Sequence, residues 1–252
     1  MTGPQAGTLA REGGTHIAFL KRDGREHGVV WLGGFKSEIT GTKASALDAW
    51  AAREGHGFVR FDYFGHGGSS GNFREGTVTK WLGDTLEVLD RLTNGPQVLV
   101  GSSMGGWLAL LAALARPERV AALLLIAPAA DFTERLMWDL FDADAKRQIL
   151  ETGEWLRPSL YDPDPYPIMR ALIEDGRKHL LLEKPIAISC PVRIVQGMMD
   201  PDVPWRHAMK LIDALGPDTQ ITLVKDGDHR LSKPHEIALI ERTLCALVAA
   251  AP

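Results

Sequence analysis

The chain has 252 residues, 45% hydrophobic and 24% charged, enough apolar surface for one ordinary domain core and too much for a disordered chain. A formal net charge of −4 offers no basic surface, so nucleic acid is not an expected partner. Two cysteines exclude a disulfide scaffold and point to a reducing compartment, and no apolar run reaches the roughly 18 residues of a membrane span.

Residues 1–14 lack an apolar central segment and include Glu12, so neither a signal nor a transit peptide is expected. Residues 8–10 and 15–20 suit an antiparallel sheet edge. Apolar runs at 29–32, 57–62, 97–101, 120–127, 192–197 and 220–224 read as strands. Several lack period-2 alternation, as expected where both sheet faces are covered. Helical patterning occupies 42–53, 78–92, 104–116, 203–215 and 234–249. This alternation predicts an α/β fold with a mostly parallel central sheet flanked by helices. One interval interrupts it. Residues 132–156 and 168–182 look helical, with the proline-rich Tyr161-Asp-Pro-Asp-Pro-Tyr-Pro167 between them, and no convincing strand is found from 131 to 184. The expected organisation is a core of residues 1–130 and 185–252 with a helical cap insertion at 131–184.

The strongest chemical signal is Gly101-Ser102-Ser103-Met104-Gly105, which fits G-x-S-x-G with Ser103 at its centre. It lies between an apolar strand and a helical pattern, the context this nucleophile elbow requires. Its turn is so tight that the residues two away from the serine must be small, and Gly101 and Gly105 are. Ser102 is one position too early. A serine hydroxyl needs a base, and the order on such a sheet is Ser, then an acid, then His. Asp200 and Asp202 both follow the 192–197 strand, and His229 follows the 220–224 strand. Ligands of open α/β sheets bind beyond the carboxyl ends of the strands, so these residues converge on one rim. Asp202 also suits a cap for the helix expected near 203. His207 and His235 fall in helical stretches and read as surface or satisfied residues. Asp228 reads as a solvated turn residue.

An oxyanion hole needs two preorganised N–H donors. Met104, just after the nucleophile, supplies one. Gly33-Gly34-Phe35 after the first parallel strand supplies the other through the Phe35 amide. Glycines also punctuate Asp62-Tyr-Phe-Gly65-His66-Gly67-Gly-Ser69-Ser70-Gly71, but Ser70 spoils a dinucleotide fingerprint and no helix opens there. A rigid loop buttressing the rim fits better, with His66 structural. No metal-ligand spacing is present, and Cys190 and Cys245 read as packing residues.

With these landmarks the whole chain resembles the serine α/β-hydrolase family. That family's usual stretch around its acid is H-G-x-x-D-x-x-V-P. Here it reads Gln196-Gly197-Met-Met-Asp200-Pro-Asp-Val203-Pro204, which implies Asp200 as the acid and leaves Gln196 as a departure from histidine. The family loop D-x-x-G-x-G-x-S is matched by Asp62, Gly65, Gly67 and Ser69. Gly41-Thr-Lys-Ala44, Arg60-Phe-Asp-Tyr63, Gly105-Gly-Trp-Leu108 and Asp228-His-Arg230 are similar to one branch, the mitochondrial acyl-glucuronide esterases and palmitoyl-protein thioesterases of animals. The resemblance implies hydrolysis of esters or thioesters by Ser103, Asp200 and His229 through an acyl-enzyme. It implies a small-molecule or S-acylated substrate and no metal or cofactor. Because the transit peptide of that branch is not visible, a bacterial-type cytoplasmic location is expected. Residues 131–184, with Leu136, Met137, Trp138, Leu140 and Phe141, are expected to form a lid carrying the acyl pocket. The alternatives are a ligand receptor that keeps the triad but barely turns over, or an acyltransferase or amidase.

Overall fold

The computed structural model describes residues 3–158 and 165–251. The chain begins with β1 (Gln5–Ala10) and β2 (His16–Arg22), paired antiparallel as an edge. β3 (Arg25–Leu32), α1 (Thr42–Glu54), β4 (His56–Phe61), α2 (Val78–Leu92), β5 (Gln97–Ser102), α3 (Met104–Ala115) and β6 (Val120–Ile126) follow in strict alternation. After the excursion at 131–184 come β9 (Val192–Gly197), α6 (Trp205–Ala214), β10 (Thr219–Val224) and α7 (Pro234–Ala250). The eight-stranded sheet runs β1-β2-β4-β3-β5-β6-β9-β10. Its β4-to-β10 part is parallel throughout.

Local chemistry explains the boundaries. α1 stops at Gly55, which takes φ 77°, a conformation glycine adopts without a Cβ penalty. α2 starts where Thr77 accepts a hydrogen bond from the Lys80 amide, occupying one orphan donor of the first turn. β5 and β6 are buried along their whole length, which is why they read as continuous apolar runs. Successive residues of β3 feed two cores. Val29 and Trp31 pack with Leu47, Trp50, Ile240 and Leu244 of α1 and α7. Val30 and Leu32 pack with Trp81, Val88, Trp107 and Leu108 of α2 and α3.

The excursion differs from the helical cap expected. Phe132 leads into a π-type turn (Thr133–Met137), a 3₁₀ turn (Trp138–Leu140) and α4 (Ala143–Thr152). Then β7 (Glu154–Arg157) pairs antiparallel with β8 (Tyr166–Met169) before α5 (Arg170–Gly176). Each strand is only four residues long and β8 contains Pro167, so neither periodicity nor composition marks it; a proline is tolerated where a strand has a free edge. Residues 161–164 of the proline-rich stretch lie outside the described residues. Asp131, fully buried at φ 56°, accepts hydrogen bonds from the Leu181 and Leu182 amides. One carboxylate therefore ties the two ends of the excursion together. Farther out, Asp175 accepts from the Thr79 amide and hydroxyl at the start of α2.

Candidate active site

Ser103 sits between β5 and α3 with φ 55° and ψ −119°. Its amide donates to the Ile126 carbonyl, and its own carbonyl accepts from Gly106 and Ala129. The strained backbone is thus clamped on both sides. A Cβ at Gly101 would strike the Gly105 carbonyl, and one at Gly105 would strike the Leu32 carbonyl, so the small-residue requirement read from the sequence is a steric one here. Ser102 ends β5 and is buried.

Gly197 and Val224 are register partners at the ends of β9 and β10, so the loops that follow leave the sheet side by side. His229 Nδ1 lies 2.8 Å from Asp200 Oδ2 and its Nε2 lies 3.1 Å from Ser103 Oγ. Since a carboxylate only accepts, Nδ1 carries the proton and Nε2 is free to accept the serine proton. The Asp200 side chain is completely buried. Its Oδ1 accepts from the Asp202 and Val203 amides, and its Oδ2 accepts from His229 and Gln196 Nε2. The N-cap of α6 is Pro204, so Asp202 is not its N-cap residue. Asp200 itself organises that turn. Asp228 is exposed, and its carboxylate accepts from the Arg230 and Leu231 amides, fixing the turn that presents His229.

Phe35 also reaches this rim. A Cβ on Gly34 would stand 3.4 Å from Ser103 Cβ, which puts the Gly34–Phe35 peptide alongside the nucleophile. Met104 is the first residue of α3, where N–H groups lack intrahelical partners. The Gly34 carbonyl accepts from Ser37, and the Lys36 amide donates to His66 Nε2 at 3.2 Å. His66 Nδ1 faces the Phe64 carbonyl, so the proton sits on Nδ1. Burial lowers the His66 pKa and keeps the ring neutral as an acceptor for Lys36. Asp62 accepts from the Ile39 and Gly68 amides, while Ser69 Oγ donates to the Asp62 carbonyl. The glycine-punctuated loop is a buttress, as its residues suggested.

A cavity of about 250 Å³ opens over Ser103. Its apolar wall includes Met104, Ala129, Phe132, Leu136, Met137 and Val203; its polar side includes Lys43, Arg157, Asp202 and Arg230. Of the apolar residues expected in a lid, Leu136 and Met137 line it. Trp138 and Phe141 are half-buried, with Phe141 against Trp155, and Leu140 is exposed. Lys43 was not singled out in the sequence, because a lysine in the first turn of a helix reads as surface. Here Nζ donates to the Arg230 carbonyl, and desolvation against the cavity wall lowers its pKa to about 8 despite Asp228 and Glu236 nearby. Asp200, Asp202 and His229 are close enough to share a cation, but the Asp200 oxygens and both imidazole nitrogens are already engaged in the hydrogen bonds above. The other histidine of note, His207, donates to the Ala130 carbonyl. The Cys190 thiol is pushed up to about 11 by burial, whereas Cys245 is exposed on α7 rather than packed.

Residues 27–238 match the family described as "Alpha/beta hydrolase family". The chain belongs to that family. Its sequence is 40% identical over 235 residues to a mouse protein named "Palmitoyl-protein thioesterase ABHD10, mitochondrial", covering 92% of this chain and 79% of that one. A crystal structure of a hydrolase from Agrobacterium vitis S4 superposes with a TM-score of 0.92 at 42% identity, covering 97% and 98% of the two chains. The structure of mouse alpha/beta hydrolase domain-containing protein 10 superposes with a TM-score of 0.90 at 39% identity, again covering 97% and 98%. The mouse and human relatives are named as mitochondrial, which overturns the expectation of a cytoplasmic protein. Charge and cysteine count cannot separate two reducing compartments, so they gave that expectation no support. Among the described residues no helix is long and apolar enough to cross a membrane.

Proposed function

We propose that the protein hydrolyses carboxylic esters and thioesters through an acyl-enzyme on Ser103. The carrying observation is the line of contacts Asp200 Oδ2, His229 Nδ1, His229 Nε2 and Ser103 Oγ, at 2.8 and 3.1 Å. Ser103 Oγ attacks the acyl carbon as His229 Nε2 takes its proton. The negative charge that forms on the carbonyl oxygen is met by the Phe35 and Met104 amides. The C–O or C–S bond to the leaving group breaks, and His229 returns the proton to the departing alcohol or thiol. Water, deprotonated by the same imidazole, then releases the acid. Asp200 keeps the proton on Nδ1 and stabilises the imidazolium in both halves of the cycle. The names of the mouse and human relatives favour an S-acylated substrate. The apolar wall contributed by Phe132, Leu136 and Met137 supports residues 131–184 as the lid that receives the acyl group.

The test pairs fluorophosphonate labelling with steady-state turnover of a short-chain thioester. Ser103→Ala is expected to lose the label and on the order of 10⁴-fold in kcat, while Ser102→Ala keeps both. A labelled wild-type protein that turns over no ester or thioester would reject the hydrolase assignment in favour of a receptor.

A further inference from the structure

Gln196 is wholly buried near the end of β9, one residue before Gly197. Its Nε2 lies 3.2 Å from Asp200 Oδ2, 3.0 Å from the Gly197 carbonyl and 2.9 Å from the Val203 carbonyl. All three are acceptors, so the amide nitrogen must be the atom that faces them. The other end of the amide, Oε1, is buried and meets no donor among the described residues. Buried polar groups are normally paired, and an orphaned acceptor destabilises a fold. Turning the amide over would be worse, because Oε1 would then face three oxygens. The site thus retains an orphaned atom in order to keep Nε2 on Asp200.

The other donors to Asp200 are unevenly placed. Both backbone amides, from Asp202 and Val203, bind Oδ1. His229 binds Oδ2 from a different loop. Among the described residues, Gln196 is the donor on the β9 side of the site that holds Oδ2 toward the imidazole. We propose that Gln196 is a positioning residue of the reaction. It fixes the rotation of the Asp200 carboxylate and draws off part of the charge on Oδ2. This rests on the Ser103–His229–Asp200 assignment made above. Histidine, which the family stretch carries at this position, can take up a second proton in acid; the glutamine amide stays neutral throughout.

The experiment measures kcat, KM and the pH profile of kcat/KM for a short-chain thioester, normalised to active sites titrated with a fluorophosphonate. The variants are Gln196→Met, Gln196→His and Asp200→Asn. Gln196→Met removes the donor and the orphaned acceptor at similar volume. Its kcat is expected to fall about tenfold, with KM within about twofold, because orientation matters in the transition state rather than in binding. Its half-maximal point on the acid side moves up by about half a unit, since an Oδ2 with one donor fewer holds the imidazolium more strongly. Gln196→His keeps kcat within about threefold and adds a second ionisation to the acid limb. Wild-type kcat and profile in Gln196→Met, beside an inactive Asp200→Asn, would overturn the role of Gln196 and leave the triad standing. Full activity in Asp200→Asn would remove the triad assignment itself. A loss in Gln196→Met confined to the titratable fraction, with an unmoved profile, would mean a merely structural residue and would also overturn the proposal. Should that variant not fold, an unaltered acid limb in Gln196→His decides against it.

Discussion

If the acyl group lies in the cavity over Ser103, as proposed, the size of that cavity limits how far the enzyme can read an acyl chain. At roughly 30 Å³ for each water-sized group, about 250 Å³ holds roughly eight methylene-sized groups. Each methylene buried contributes about 0.8 kcal/mol at most, a factor of about four. In a series of straight-chain S-acyl substrates, kcat/KM is therefore expected to climb by up to about fourfold per carbon, then to level off near eight carbons. A palmitoyl chain would leave about half its length outside. Leu136→Ala and Met137→Ala, each removing about three heavy atoms from the wall, should move the break two or three carbons farther out. The assay is kcat/KM against chain length below the micellar range, with folding checked by thermal denaturation. A slope that continues unbroken to sixteen carbons, or a break that both substitutions leave in place, would refute the reasoning and move the acyl group out of this cavity.

Asp200→Asn is expected to cost roughly 10³- to 10⁴-fold in kcat and Asp202→Asn about tenfold or less; the reverse ranking in a steady-state assay would exchange their roles. Lys43 loses its positive charge as pH rises through about 8. Thioesters with an anionic leaving group should accordingly lose kcat/KM above that pH relative to a neutral analogue, and Lys43→Met should abolish the difference. Asp131→Ala leaves the Leu181 and Leu182 amides without their acceptor and should lower the unfolding free energy by about 2–3 kcal/mol, measured by urea titration.

The parallel strands and core helices were legible because their burial on both sides leaves continuous apolar runs, as in β5 and β6, and because the steric demands of the elbow select Gly101 and Gly105. Boundaries slipped where polar residues carry the backbone pairing. β3 begins at Arg25, before a register shift against β4 that ends at Val29. α6 begins at Trp205 rather than near Val203, because a residue preceding proline is held out of the helical region. The strand context could not choose between Asp200 and Asp202, since both follow the same strand; the family stretch implied Asp200, which burial and four gathered donors set apart from Asp202. Gln196 was visible only as a departure from a family pattern, and its importance lies in contacts that no linear motif records. The β7–β8 pair was illegible because its stability comes from pairing two four-residue segments across a loop, with no periodic signal in either.

Because Asp131 binds the amides of Leu181 and Leu182, the chain departs from the sheet and comes back to it at one point. A segment whose ends already meet adds little to the closure entropy of the rest, and that entropy grows only slowly with loop length. The stretch between 131 and 182 is thus one closed excursion from the sheet, anchored a second time where Asp175 binds Thr79 of α2. If the acyl pocket lies in this segment, as proposed, substrate preference and bond-breaking chemistry are carried by separate stretches of chain, and a transplanted segment would need an aspartate at its start, two free amides at its end and a carboxylate to meet Thr79.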